Sequence, residues 1–93
     1  MAMQTDVKSA TATADGTLVP ARTRIKAMTI TSTSTAGSIV LKDGGASGTA
    51  KITINTPAVA EIFNILIPAE GVLFETDVYV DVTDVSSVTV FYG

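Results

Sequence analysis

The chain contains no cysteine, no histidine and no tryptophan, and each absence closes off a class of function. Without cysteine there is no disulfide framework, no thiolate metal site and no sulfur nucleophile. Without histidine the triads that need an imidazole base cannot form, and the usual zinc and iron ligands are gone. Apolar runs such as Ile65-Leu66-Ile67 fall far short of the ~20 residues that span a bilayer. The N-terminal stretch MAMQTDVKSATATADG has no apolar core of a signal peptide, so a chain made as a soluble cytosolic protein is expected, with no membrane partner.

The carboxylates and lysines that remain do not assemble into chemistry. In a strand, Asp77 and Asp81 stand about 13 Å apart at ~3.3 Å per residue, whereas paired acid and base carboxylates need roughly 5–10 Å. A calcium site drawing on Asp43, Glu75 or Asp77 lacks the EF-hand spacing, and loop aspartates more often cap turns. Nothing around Lys26 or Lys51 suggests the desolvation a Schiff-base lysine requires. The loop Asp43-Gly44-Gly45-Ala46-Ser47-Gly48 lacks the closing Gly-Lys-Ser/Thr of a phosphate loop and precedes a strand, not a helix. The expectation is a protein that is not an enzyme, with no catalytic residue, no cofactor and no metal.

What the chain does have is apolar residues in alternation. Its 93 residues suit one domain, 46% of them are hydrophobic, 16% are charged, and the mean hydropathy is +0.43. A domain of this size buries only about 60–65% of the surface its unfolded chain exposes. Without disulfides, sharing surface with copies of itself is the expected route to stability, which predicts a homo-oligomer. The net charge of −3 argues against a nucleic-acid partner. Six basic and three acidic residues up to Lys51 give that part +3, and the six acids after it give −6. Interleaved strands would average this out, and complementary faces between subunits would exploit it.

Taken in order, residues 1–16 read as a flexible N-terminal arm or an edge strand laid along a neighbour, and residues 17–93 as a single β-sandwich domain. Residues 22–33 form the first clear strand. Ile25 and Ala27 share one parity while Met28 and Ile30 share the other, which calls for a bulge or for both faces to be covered. Residues 39–42 and 49–56 pair across the glycine-rich loop as a hairpin. Residues 58–67 fit a helical stripe or a strand, and β-branched content ahead of Pro68 favours a strand over 60–67. A reversal is expected at 68–71. Residues 65–93 read as a meander in which Val78, Val80 and Val82, then Val88, Val90 and Tyr92, face the core. The halt at Gly93 suits a final strand held in the sheet or in an interface. Phe63 and Phe74 read as core. Seven to eight short strands with polar turns predict an all-β fold, a small antiparallel sandwich or barrel.

Six residues stand out as a candidate subunit interface. Arg22, Arg24 and Lys26 alternate as a positive ladder, either a solvated face or a contact with acids such as Glu75 or Asp81 of another subunit. Tyr79, Asp81 and Phe91 lie on the parity opposite the core valines. For Tyr79 and Phe91 a cross-strand pair covering the sheet, a subunit contact and a sugar-binding platform are the alternatives.

The string IPAEGVLFETDVYVDVTDVSSVTVFYG, with RIKAMTITSTSTAGSIVLKDGGASGT upstream, resembles small virion proteins of tailed bacteriophages, in particular those of marine bacteria and cyanobacteria. The resemblance covers residues 18–93 and rests on the Pro-x-x-Gly reversal, the YVDVT strand and the closing VTVFYG, with no chemically diagnostic motif. It implies a virion structural protein with a sandwich or jelly-roll-like fold. Within that class it implies a head decoration or cement protein, often a trimer, bridging major capsid subunits. A tail- or fibre-associated protein is the alternative, and a receptor- or glycan-binding module is the rival outside the class. No catalytic residue comes with the resemblance.

Overall fold

The computed structural model describes residues 8–67 and 71–93. Among these the chain forms nine strands and no helix. They are β1 (Lys8–Ala12), β2 (Gly16–Val19), β3 (Thr23–Ser32), β4 (Gly37–Asp43), β5 (Thr49–Thr56), β6 (Ile62–Leu66), β7 (Val72–Phe74), β8 (Val78–Thr83) and β9 (Val85–Tyr92). One antiparallel sheet runs β1-β9-β3-β6, with β7 also on β3, and the other runs β2-β8-β4-β5.

The pairs β1·β9, β2·β8, β3·β6 and β4·β5 nest inside one another along the chain. One long antiparallel ribbon, closed by the β4–β5 hairpin, is thus wound so that alternate pairs fall in alternate sheets. This is jelly-roll connectivity, an antiparallel sandwich built from two Greek keys. The expected all-β sandwich is what the chain forms. The ninth strand arises because β6 and β7 run the same way along one side of β3, opposite residues 27–31 and 23–25 respectively. Both lie along the same edge of β3. Gly71, just ahead of β7, has φ +89°, and a Cβ there would come within 2.4 Å of the Ile25 carbonyl oxygen. The reversal expected at 68–71 otherwise falls on residues 68–70, outside the described residues.

Other expectations are resolved by pairing. Lys8–Ala12 is an edge strand on β9 of its own sheet, with Ala10 and Ala12 packed against the core. Residues 1–7 of the expected arm lie outside the described residues. In β3 the register against β9 shifts between Ile25 and Ala27, so Lys26 is the extra residue of a bulge. The bulge lets Ile25, Met28 and Ile30 all reach the core despite their mixed parity. The expected strand over 60–67 is β6, trimmed to Ile62–Leu66.

The C-terminal meander is corrected. β7 pairs with β3, β8 lies between β2 and β4, and β9 lies between β1 and β3, so no two of these three strands are neighbours. Alternating apolar positions report which face is buried but carry no information on which strand lies alongside.

The core fills the space between the sheets. Ile25, Met28, Ile30, Val88 and Val90 from one sheet meet Ile39, Leu41, Val78 and Val80 from the other, and Phe74 is fully buried with them. Burying each such side chain contributes roughly 1.5–3 kcal/mol. Phe63, also expected in the core, is only half-buried, because β6 is an edge.

Candidate subunit interface

The chain crosses between sheets at the ends of the sandwich, and a polar side chain anchors the backbone at several of these crossings. At β7–β8 the carboxylate of Asp43 accepts the N–H groups of Glu75 at 2.9 Å and Thr76 at 2.8 Å, with Asp77 at a longer 3.4 Å. Asp77 returns the arrangement, its Oδ1 accepting Gly44 N–H at 3.0 Å and Gly45 N–H at 3.1 Å. Two aspartates thereby clasp the β4–β5 hairpin to the β7–β8 crossing. The Glu75 and Thr76 N–H groups, with the charge of Lys51, hold the Asp43 carboxyl below the ordinary aspartate range. Asp43 and Asp77, two of the acids considered for calcium, thus serve as backbone acceptors. Among the described residues, no group of three or more acidic side chains is placed to hold a metal.

Elsewhere the same device recurs. Asp15 Oδ1 accepts Val82 N–H at 2.7 Å, extending the short β2·β8 ladder with a side chain. Thr33 donates its hydroxyl to the carbonyl of Asp84, which sits at φ 50° between β8 and β9. At β5–β6 the buried Ser32 hydroxyl donates to the Val59 carbonyl and accepts Glu61 N–H at 3.1 Å.

The six interface candidates do not come together. Arg24, Lys26 and Phe91 lie on the outer face of the β1-β9-β3-β6 sheet, with Arg22 just ahead of β3. Phe91 stands opposite Ala27 and Ser9, in a different sheet from Tyr79. Tyr79 and Asp81 lie on the outer face of the other sheet, where Tyr79 stands opposite Lys42 and Thr17. Stacked sheets pack about 10 Å apart, so a contact using all six would have to engage both outer faces of the sandwich. The cross-strand Tyr79–Phe91 pair does not form, because β8 and β9 belong to different sheets. Asp81 meets a cation of its own chain, Lys42, at 3.5 Å. Strands from the basic and the acidic parts of the chain alternate along β1-β9-β3-β6 and along β2-β8-β4.

A different region carries the uncovered apolar surface. Val59, Ile62 and Leu66 are 48%, 67% and 84% exposed, and all three belong to the β5–β6 crossing and β6. Beside them a cavity of about 210 Å³ opens between the two sheets, lined by Ile30, Ile54, Pro57, Phe63 and Ile65. On the opposite flank, β1 packs over β2 and Ala10, Ala12 and Leu18 close against the core.

Sequence reasoning missed this edge because the stretch reads equally as a helical stripe and because edge position is a property of topology. One signal was available: β6 holds neither charge nor proline nor glycine. Edges are normally blunted by such residues, by shortness or by bulges. β1 carries Lys8, β5 carries Lys51, β2 is short with a register shift, and β7 has only three residues, which leaves β6 as the unprotected strand edge among those described. No family model, curated protein or solved structure matches the chain.

Proposed function

We propose that this protein is a non-enzymatic structural subunit that acts by holding neighbouring molecules together. Its setting, following the sequence resemblance, is the head of a tailed bacteriophage, where it decorates and cements the capsid. One observation carries the reading of a contact protein: the concentration of exposed apolar side chains on one unprotected sheet edge. The described polar side chains with well-defined partners are spent on anchoring loops and pairing strands, which fits a scaffold better than a catalyst. The jelly roll is compatible with this role but hosts unrelated functions on other chains, so the edge and not the fold is the argument.

In this role each subunit binds adjacent capsid proteins weakly. Repetition over a shell turns many weak contacts into large effective avidity. Electron microscopy of particles made with and without the protein tests the proposal. The expected result is added density at lattice points of the head, with greater resistance of those particles to heat. Absence of the protein from the particle, combined with micromolar binding on a glycan array, would overturn it in favour of a receptor-binding module. Density confined to the tail would move the protein to the tail.

A further inference from the structure

We infer that the open β6 edge is built to pair with β6 of a second copy, antiparallel and symmetric about Asn64, so that the two β1-β9-β3-β6 sheets join into one continuous sheet. This rests on the reading of the protein as a contact subunit and names the partner of its exposed edge.

Three observations point to a second copy. The first is the direction of the backbone groups. Ser32 N–H bonds to the Glu61 carbonyl, and Ile67 N–H to the Lys26 carbonyl. Both bonds lie at the ends of the β3·β6 register and use odd-numbered residues of the β6 segment. In an antiparallel ladder the hydrogen-bonding side alternates from one residue to the next. Ile62, Asn64 and Leu66 therefore turn their N–H and C=O groups to the open edge. A two-fold axis at Asn64 sets Ile62 opposite the partner's Leu66 and Asn64 opposite the partner's Asn64. All three residues on each side then exchange both backbone bonds.

The second observation is side-chain symmetry. The strand reads Ile-Phe-Asn-Ile-Leu, apolar on both sides of a central asparagine. The same axis lays the exposed Ile62 against the partner's exposed Leu66 on the outer face, twice over. On the inner face it sets Phe63 against the partner's Ile65, both of which line the open cavity. An isologous contact requires this kind of self-complementarity.

The third is the polar row that ends at Asn64. Thr11 and Thr89 share a hydrogen bond of 2.8 Å, and Thr29 donates to Asn64 Oδ1 at 2.8 Å. The four residues lie in one row across β1, β9, β3 and β6. With its oxygen taken by Thr29, Asn64 keeps its amide nitrogen as a donor for the partner's Asn64, which continues the row across the axis.

Five residues a side, with the lips of the cavity, cover less than the ~1,200 Å² of a standard interface. The pairing is accordingly reversible and concentration-dependent. Sedimentation velocity of the full chain over a dilution series tests it. The mass is expected to rise from 9.6 kDa toward twice that value as concentration increases. Leu66→Lys, at a position 84% exposed, should hold the protein at the monomer mass with an unchanged melting temperature.

Because the chain has no cysteine, Asn64→Cys supplies a single reporter thiol. Opposed Cα atoms about 5.5 Å apart fall within disulfide range. Mild oxidation should therefore crosslink this variant to a dimer, while Thr53→Cys on the outer face of β5 stays monomeric. Monomer mass at every concentration, a trimer, or a dimer indifferent to Leu66→Lys would overturn the pairing. If monomeric protein still decorates particles, the pairing fails and the functional reading stands. If dimers form but never bind particles, the reverse holds.

Discussion

The β7–β8 and β5–β6 crossings solve the same backbone problem and leave opposite surfaces. Both carry the chain between sheets, and both anchor it on one side chain, Asp43 in the first case and Ser32 in the second. At β7–β8 the preceding Phe74 is fully buried and the returning contacts of Asp77 close the end of the sandwich. At β5–β6 the hydrogen bonds are equally well made, yet Val59, Ile62 and Leu66 remain exposed beside an open cavity. Satisfying the backbone is therefore separable from covering apolar surface. A crossing with the first and not the second is where a partner gains most by binding.

Substitutions can break or sharpen this contrast. The largest effect is expected from Phe74→Ala, which should cost about 3–5 kcal/mol by chemical denaturation, while Phe63→Ala at the open cavity should cost no more than about half as much. Equal losses would mean that the β5–β6 flank is as closely packed as the clasped end. Next, Gly48→Ala would push a Cβ to within 2.3 Å of the Asp43 carbonyl oxygen. The clasped hairpin should lose about 1–3 kcal/mol, measurable as a lowered denaturation midpoint. Ser32→Ala removes the anchor of the other crossing and should cost about 1–2 kcal/mol. Amide exchange should quicken at Glu61 and stay unchanged at Thr76.

The clasp also carries a pH signature. Because the Asp43 pKa is lowered in the folded chain, its contribution is fully present above the ordinary aspartate value of about 3.9 and is lost as pH falls below it toward the lowered value. Melting curves of wild type and Asp43→Asn should therefore differ near neutrality and converge in acid. A gap that stays constant down to low pH would mean the carboxylate charge does not matter. The smallest effect belongs to Leu66→Lys, which should change monomer stability by less than about 0.5 kcal/mol. A large loss there would show that Leu66 packs within its own subunit.

Much of the fold was legible because it rests on local pattern. Valine alternation in β8 and β9 marks the buried face, Pro57 ends β5, and the mixed parity around Ala27 admits a bulge or two covered faces, of which the bulge is found at Lys26. The Gly44-Gly45 turn, with φ of 108° and 82°, was visible in its glycines. The candidate interface was much less legible. Tyr79 and Phe91 share the outward parity, but they stand on opposite outer faces of the sandwich. Ile62 and Leu66 looked like any apolar pair in an ambiguous stretch, and their exposure follows from β6 having one neighbour in place of two.

The sequence alone thus determined the class of fold, the position of most strands and the face each strand buries, because these depend on periodicity and turn chemistry within a few residues. Only the tertiary structure decided that the ribbon winds as a jelly roll, that Asp43 and Asp77 bind each other's loops, and that β6 is left at an open edge. Those features depend on which distant strands lie side by side, and side-chain alternation is the same whichever neighbour a strand receives.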